Sequence, residues 1–399
     1  MSEKDTQVSA RPVGTVRSLG RMIAEGRAGS LLVILMIAII WIFFQLTNSN
    51  FLSAGNLTNL MLQNVAVATM SIGVVLILLL GEIDLSIGSV SGLCAAIMAV
   101  LIVNKGMAPV LAVVVAIAVG AVIGLFTGFM VTKFGIPSFV ITLAGLLTWL
   151  GLQLYVLGET GTINLTDSFV TRLTSTFFSP VVGWVIAVIA IVIMCALAIL
   201  GRARRRRAGL SLGSSRAMIA RLVVTSVAIV AAMVVFNKDR GLPLAILIVM
   251  SLALLFAYIT EQTRFGRHIF AVGGNAEAAR RSGIRVNRVR VMVFVLASSL
   301  AATGGILAAS RLLAVNQSSG GSDLLLSAIA GPVIAGTSLF GGRGSVWSAL
   351  LGALVIGSIA NGMNLLSVSS SVRYIVTGGV LMAAVTLEAV TRMNRQPGD

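Results

Sequence analysis

Two carboxylates, Glu82 and Asp84, lie in LLLGEIDLSIGS between two long apolar runs. A charge at membrane depth is expensive and normally faces a cavity or a partner. Gly81, Ser86 and Gly88 surround the pair, and such residues let the backbone leave a helix. A broken helix exposes amides and carbonyls to polar cargo. Two readings stand: a polar path within the membrane, or a turn in water whose carboxylates are simply wet. A second break, AGTSLFGGRGSVWS at 335–348, adds the hydroxyls of Thr337 and Ser338. Asn361 and Asn364 sit in another apolar run, where an amide binds hydroxyls or glues helices together. The chemistry open to Glu82, Asp84, Ser86, Thr337, Ser338 and Asn361 is hydrogen bonding. A strongly discriminating site would bury several matched polar groups, since each unpaired one costs about 1–3 kcal/mol. So sparse a set predicts weak binding.

Groups for bond-making chemistry are missing. His268 is the only histidine, which excludes a histidine-built metal site. A phosphate-binding loop needs a lysine after its glycine run. The only lysines are Lys4, Lys105, Lys133 and Lys238, in SEKD, VNKG, VTKF and FNKD, and none fits. No HExxH, CxxC or GxSxG occurs, so no catalytic residue, metal or cofactor is expected. Cys94 and Cys195 lie inside apolar runs and read as inert core residues.

The stretch Thr263–Arg290, within a loop spanning 261–290, is polar and carries seven arginines. Its centre, NAEAARRSGI, reads as a short exposed helix. Asn275 is a suitable N-cap, and Ala276, Ala278 and Ala279 are strong helix formers. Gly283 can take the left-handed turn that ends the helix. Gly273 and Gly274 free the chain just before it. The stretch is either a docking surface or an ordinary interhelical loop.

Composition says what positions these residues. The chain has 399 residues, is 57% hydrophobic and 11% charged, and has mean hydropathy +1.02. A soluble domain keeps more charge. The net charge of +16 does not mark a nucleic-acid binder, because the arginines sit between apolar runs of about 20 residues. The expected fold is all-α, a polytopic helical membrane protein with broken Gly-rich helices. Ten to twelve crossings are expected, twelve by length: 30–47, 59–80, 85–103, 109–131, 136–156, 181–200, 217–236, 242–260, 291–311, 323–340, 345–364 and 372–390. The 81–85 break is short enough to be an interruption within the membrane. Residues 1–29 and 392–399 read as tails on either side of a single transmembrane domain, 30–391. A signal peptide is a weak alternative, because Leu31–Thr47 lacks a clear cleavage site.

With the first tail inside, 23 of the 29 basic residues fall on the inner side. Lys105, Arg172, Lys238, Arg240, Arg311 and Arg373 fall outside. This asymmetry predicts both termini in the cytoplasm. The run GRARRRR at 201–207 attracts anionic lipid and fixes topology. The loop 158–180, with Glu159 and Asp167 against Arg172, reads as solvated, with an external docking surface the alternative. Small residues in GAVIGLFTG and GALVIGSIANG predict close helix packing. Gly88–Ser89–Val90 recurs as Gly344–Ser345–Val346, each time opening an apolar run. This hints at two related halves in parallel orientation, or is chance in a chain with 42 glycines.

Four motifs in order, GEIDLSIGSVSGL, IPSFVITLAGLL, FGRHIFAVGGNAEAARRSGI and IAGTSLFGGRGS, resemble the permease subunits of bacterial ABC importers for monosaccharides, the ribose and xylose branch. The likeness runs from about Leu52 to Thr391. PSFVITLAG, the Arg-rich insert with added runs near 200–236, and ANGM at 360–363 look closest to its xylose members. The resemblance implies a homodimeric pore in the bacterial inner membrane, a separate ATPase in two copies, and a periplasmic sugar-binding protein. It implies that Asn275, Glu277, Ala278, Ala279, Arg280, Arg281 and Gly283 engage the ATPase. Ser327 stands where members carry an acidic residue, Ala335 replaces a glycine, and Pro332 is unusual, which bears on the sugar. The runner-up is an ion-coupled secondary transporter using Glu82 and Asp84. The purified chain alone is expected to hydrolyse ATP no faster than background. Phosphate release that scales with the amount of chain would refute this.

Overall fold

The computed structural model describes residues 29–166, 169–211 and 214–393. The first tail up to residue 28, Asp167 and the last six residues lie outside the described residues. Each of the twelve apolar runs forms a helix, and the described residues contain fifteen. In chain order they are α1 (Gly29–Thr47), α2 (Ala54–Leu79), α3 (Ile87–Val103), α4 (Pro109–Phe134), α5 (Ser138–Leu157), α6 (Phe169–Ser175), α7 (Pro180–Arg207) and α8 (Ser215–Lys238). Then follow α9 (Leu244–Gln262), α10 (Arg264–Gly274), α11 (Ala276–Arg281), α12 (Val286–Leu312), α13 (Ser322–Ile334), α14 (Val346–Leu365) and α15 (Ser370–Met393). Two small antiparallel pairs complete the fold, β1 (Thr162–Asn164) with β4 (Ala314–Asn316), and β2 (Phe177–Phe178) with β3 (Leu242–Pro243).

Eight helices are long and apolar enough to cross a membrane by length and composition: α2, α4, α5, α7, α8, α9, α12 and α14. Three apolar helices are shorter, in α1, α3 and α13. The run expected at 323–340 stops being helical at Ile334. Pro332 lacks an N–H, and Gly336 sits at φ +93°, so the backbone turns away. Thirteen residues rise only about 20 Å, less than the apolar thickness of a bilayer. Support by length and composition thus reaches eight of the twelve expected crossings.

At the centre is α12, which packs along α4, α2 and α3. Its contact with α4 runs through the predicted small residues. A Cβ on Gly120, Gly124 or Gly128 would lie 2.8, 2.4 or 2.8 Å from Ser298 O, Phe294 O or Val291 Cα. In the second stretch, a Cβ on Gly352 would lie 1.9 Å from Gly331 O, so α13 and α14 cross backbone to backbone. Nearly all of α2 is buried, whereas α7 and α8 are mostly exposed and form a hairpin at the periphery.

Two expectations need correction. The 158–180 loop is folded, not solvated: Ile163, Leu165, Val170 and Thr174 are buried, because β1 pairs with β4 and α6 packs on α12. Gly273 and Gly274 are not a free segment but the last residues of α10.

The α4–α12 contact yields a test. Gly124→Val places a branched side chain where the Phe294 carbonyl stands, and overpacking of this kind costs about 1–3 kcal/mol. The detergent-solubilised variant should unfold at lower temperature than the parent. An unchanged Tm would contradict the close approach.

Candidate translocation and coupling site

Three segments distant in sequence meet where α2 ends. The Leu79 carbonyl accepts the Gly342 N–H at 3.0 Å. Gly81, at φ +75°, lies against Phe340 O and Gly341. Gly273 at the end of α10 comes so close that a Cβ there would lie 1.8 Å from Leu79 O and 2.8 Å from Gly342 N. The 80–86 break, the 335–345 break and the end of α10 are therefore one junction. The first break therefore lies beside the 263–290 stretch, and its carboxylates are buried rather than wet. The residue Gly273 was visible in the sequence only as half of a Gly-Gly pair. Its packing role needs Leu79, 194 positions away.

The carboxylates are both engaged. Glu82 Oε1 lies 3.1 Å from Arg290 Nε, and both side chains are largely buried. That N–H does not point along the contact, so the pair is held by charge more than by a directed hydrogen bond. Arg290 sits in the first turns of α12 and was counted in the sequence only as a topology charge. Asp84 is buried, and its Oδ1 accepts the Ser86 N–H at 2.8 Å and the Ser86 hydroxyl at 2.6 Å. This turn leads the chain into α3. Thr337 and Ser338 are buried in the second break. The Thr337 hydroxyl is hydrogen-bonded to that of Ser348 in α14, and Ser338 Oγ accepts the Phe340 N–H. Ser138 Oγ of α5 accepts the Ile83 N–H, and the Thr142 hydroxyl donates to Ile83 O. These two were missed as site residues, although their i,i+4 spacing puts them on one helix face.

Asn361 stands apart from this cluster. Near the other end of α14, its Oδ1 accepts from Asn56 Nδ2 at 2.9 Å and its Nδ2 donates to Gln63 Oε1 at 3.3 Å. The amides glue α14 to α2 there. Asn364 is exposed and accepts from Arg373 Nη1.

The short helix α11 forms as the residue types imply. Asn275 Oδ1 accepts the Ala278 N–H at 2.9 Å, and Gly283 takes φ +83°. Glu277 and Arg281 pair one turn apart on the exposed face. Ala278 and Arg280 are exposed as well, while Ala279 is buried against a cluster that includes Val286 and Val289. Ala279 anchors the helix and cannot face a partner. The preceding helix α10 docks through Gly266, Ile269 and Val272.

Buried breaks held between apolar helices of span length, with a short capped helix at the end of α10, define a multi-pass membrane protein. The chain belongs to the family described as the permease component of branched-chain amino acid transport systems, which matches residues 56–385. It is a permease component, not an enzyme. Over 357 residues it is 34% identical to the xylose transport system permease protein XylH of Escherichia coli, covering 90% of each chain. It is 33% identical over 358 residues to XylH of Haemophilus influenzae, covering 90% of this chain and 95% of that one. To the ribose import permease protein RbsC of Escherichia coli it is 32% identical over 340 residues, covering 85% and 87%. No solved structure matches the chain significantly.

The Glu82–Arg290 pair predicts a non-additive mutant cycle. Arg290→Gln leaves Glu82 buried without its counter-charge, a loss of about 3–5 kcal/mol for a fully buried pair and less for this partly exposed one. The double variant Glu82→Gln with Arg290→Gln should recover most of the lost stability. Equal loss in the single and double variants would refute the pairing.

Proposed function

We propose that this chain is the translocation subunit of an ATP-driven importer. It passes a monosaccharide, most simply D-xylose or a similar pentose, from a periplasmic binding protein into the cytoplasm. The observation that carries this reading is α11: a capped helix, exposed on one face, that directly follows the end of α10, where Gly273 and Gly274 meet both breaks. An ATPase docked there through Glu277, Ala278, Arg280 and Arg281 pushes on α10. Gly273 passes the push to both breaks. Asn275 and Gly283 set the ends of the docking helix, and Ala279 holds it down. The relatives named for xylose and ribose support a pentose as cargo. The chain works as a homodimer in the bacterial inner membrane, with residues 30–391 as one transmembrane domain and both tails in the cytoplasm. The arginine asymmetry supports that orientation.

Glu82, Asp84, Ser86, Thr337 and Ser338 lie where the path meets the docking element. Their own contacts leave few free polar groups for cargo, so selectivity rests with the binding protein. Ion coupling through Glu82 and Asp84 loses ground, because Arg290 balances one carboxylate and Ser86 occupies one oxygen of the other.

Cells with and without the gene, given labelled pentoses and hexoses, test the cargo. Pentose uptake should depend on the gene, and hexose uptake alone would displace the pentose reading. Gly283→Val tests the docking. A β-branched residue at φ +83° costs about 1–2 kcal/mol, and nothing packs against that position, so the effect stays local. Coupled uptake should fall about tenfold with the chain still inserted. Unchanged ATP-driven uptake would argue for an ungated or ion-driven carrier.

A further inference from the structure

The contact between α3 and α5 is built unlike the others. α5 packs mainly on α3, with a lesser contact to α4, and its outer face leaves Phe139, Leu143, Leu147 and Tyr155 exposed. The inner face carries Ser138, Thr142, Gly145, Trp149 and Gln153, spaced by three or four residues along one stripe. At the break, Ser138 and Thr142 are satisfied by the Ile83 backbone. Further along, satisfaction fails. Trp149 Nε1 and Gln153 Oε1 are buried with no hydrogen-bond partner, and so is Asp84 Oδ2 from the α3 side. Gln153 is wholly buried, and its Nε2 donates to Asn316 O and Ser319 O at 3.0 and 2.9 Å. Its free Oε1 lies over Gly92, where a Cβ would come within 2.2 Å. Trp149 Nε1 lies beside Gly145, whose Cβ position is 3.4 Å from Ser86 Cβ, next to Asp84.

A buried polar atom without a partner is rare in a folded protein and calls for an explanation. Three on one seam, an acceptor, a donor and an acceptor, share one. They complement a molecule whose hydroxyls both donate and accept. An apolar cargo would leave all three unpaired, and a cation would find no partner in the indole N–H. We propose that the α3–α5 seam is the track for hydroxyl groups of a monosaccharide in transit, opened when α5 parts from α3. This rests on the sugar-permease reading. Water hydroxyls can fill the seam between sugars.

The test uses full-length chain with its ATPase and binding protein. In a chain with Cys94→Ala and Cys195→Ala, Gly145→Cys puts a thiol in the seam. During turnover a small hydrophilic thiol reagent should label it, and D-xylose should slow labelling several-fold while sorbitol does not. Labelling that D-xylose never slows, in cells that take up D-xylose, shows a track for water alone and overturns the proposal. No labelling in such cells overturns it too. If the parent takes up no pentose, the sugar reading fails first and the track with it. Trp149→Phe is the second variant. It removes a donor with no protein partner and keeps a ring for the edge-on contact with Phe126. A purely structural Trp149 predicts unchanged uptake. The track predicts a several-fold rise in the half-saturating sugar concentration, and an unchanged value would overturn it.

Discussion

The hydrogen bond from the Gly342 N–H to the Leu79 carbonyl holds the two helix breaks together. Where a helix stops inside an apolar bundle, its last carbonyls have no intrahelical partner and no water. The chain meets that demand by bringing a second break against the first. Both must then be nearly bare of side chains, which explains Gly81, Gly341 and Gly342 at positive φ on the facing edges. The same crowding leaves room for α10 only because its penultimate residue is Gly273. A displacement of α10 therefore cannot leave the breaks where they are.

Charge follows the same geometry. A carboxylate at the end of α2 is tolerable because Arg290 enters from α12. That helix is also the one that α4 grips through three glycines a turn apart. The junction is thus tied by charge to the central helix and by backbone hydrogen bonding to the α13–α14 pair. Polar groups gather at the two ends, with the Asn56–Asn361–Gln63 amides remote from the junction. Between them the core is mostly apolar, with single buried hydroxyls such as Ser71, Thr127 and Ser298 and the α3–α5 seam.

The helix starts after the two breaks are comparable in sequence and in shape. Ile87 and Val346 each open a helix after a break, within or next to a recurring Gly-Ser-Val triplet. The incoming helices differ: α2 has 26 residues and α13 only 13, with Pro332 near its end. The two breaks therefore serve helices of unequal reach.

The sequence by itself determined the class, because apolar runs of span length can form only helices where backbone groups must bond internally. It also determined α11 and its ends, since an Asn cap and a left-handed glycine act through neighbours a few residues away. Glycine stripes announced close packing without saying against what. Only the tertiary structure decided that Gly273 meets Leu79, that Arg290 balances Glu82, that Ala279 faces inward, and that Trp149 and Gln153 line up with Asp84. It also decided that α13 falls short of a full span and that the 158–180 segment folds. Each of these depends on a partner remote in sequence, and neither composition nor periodicity encodes which remote residue arrives.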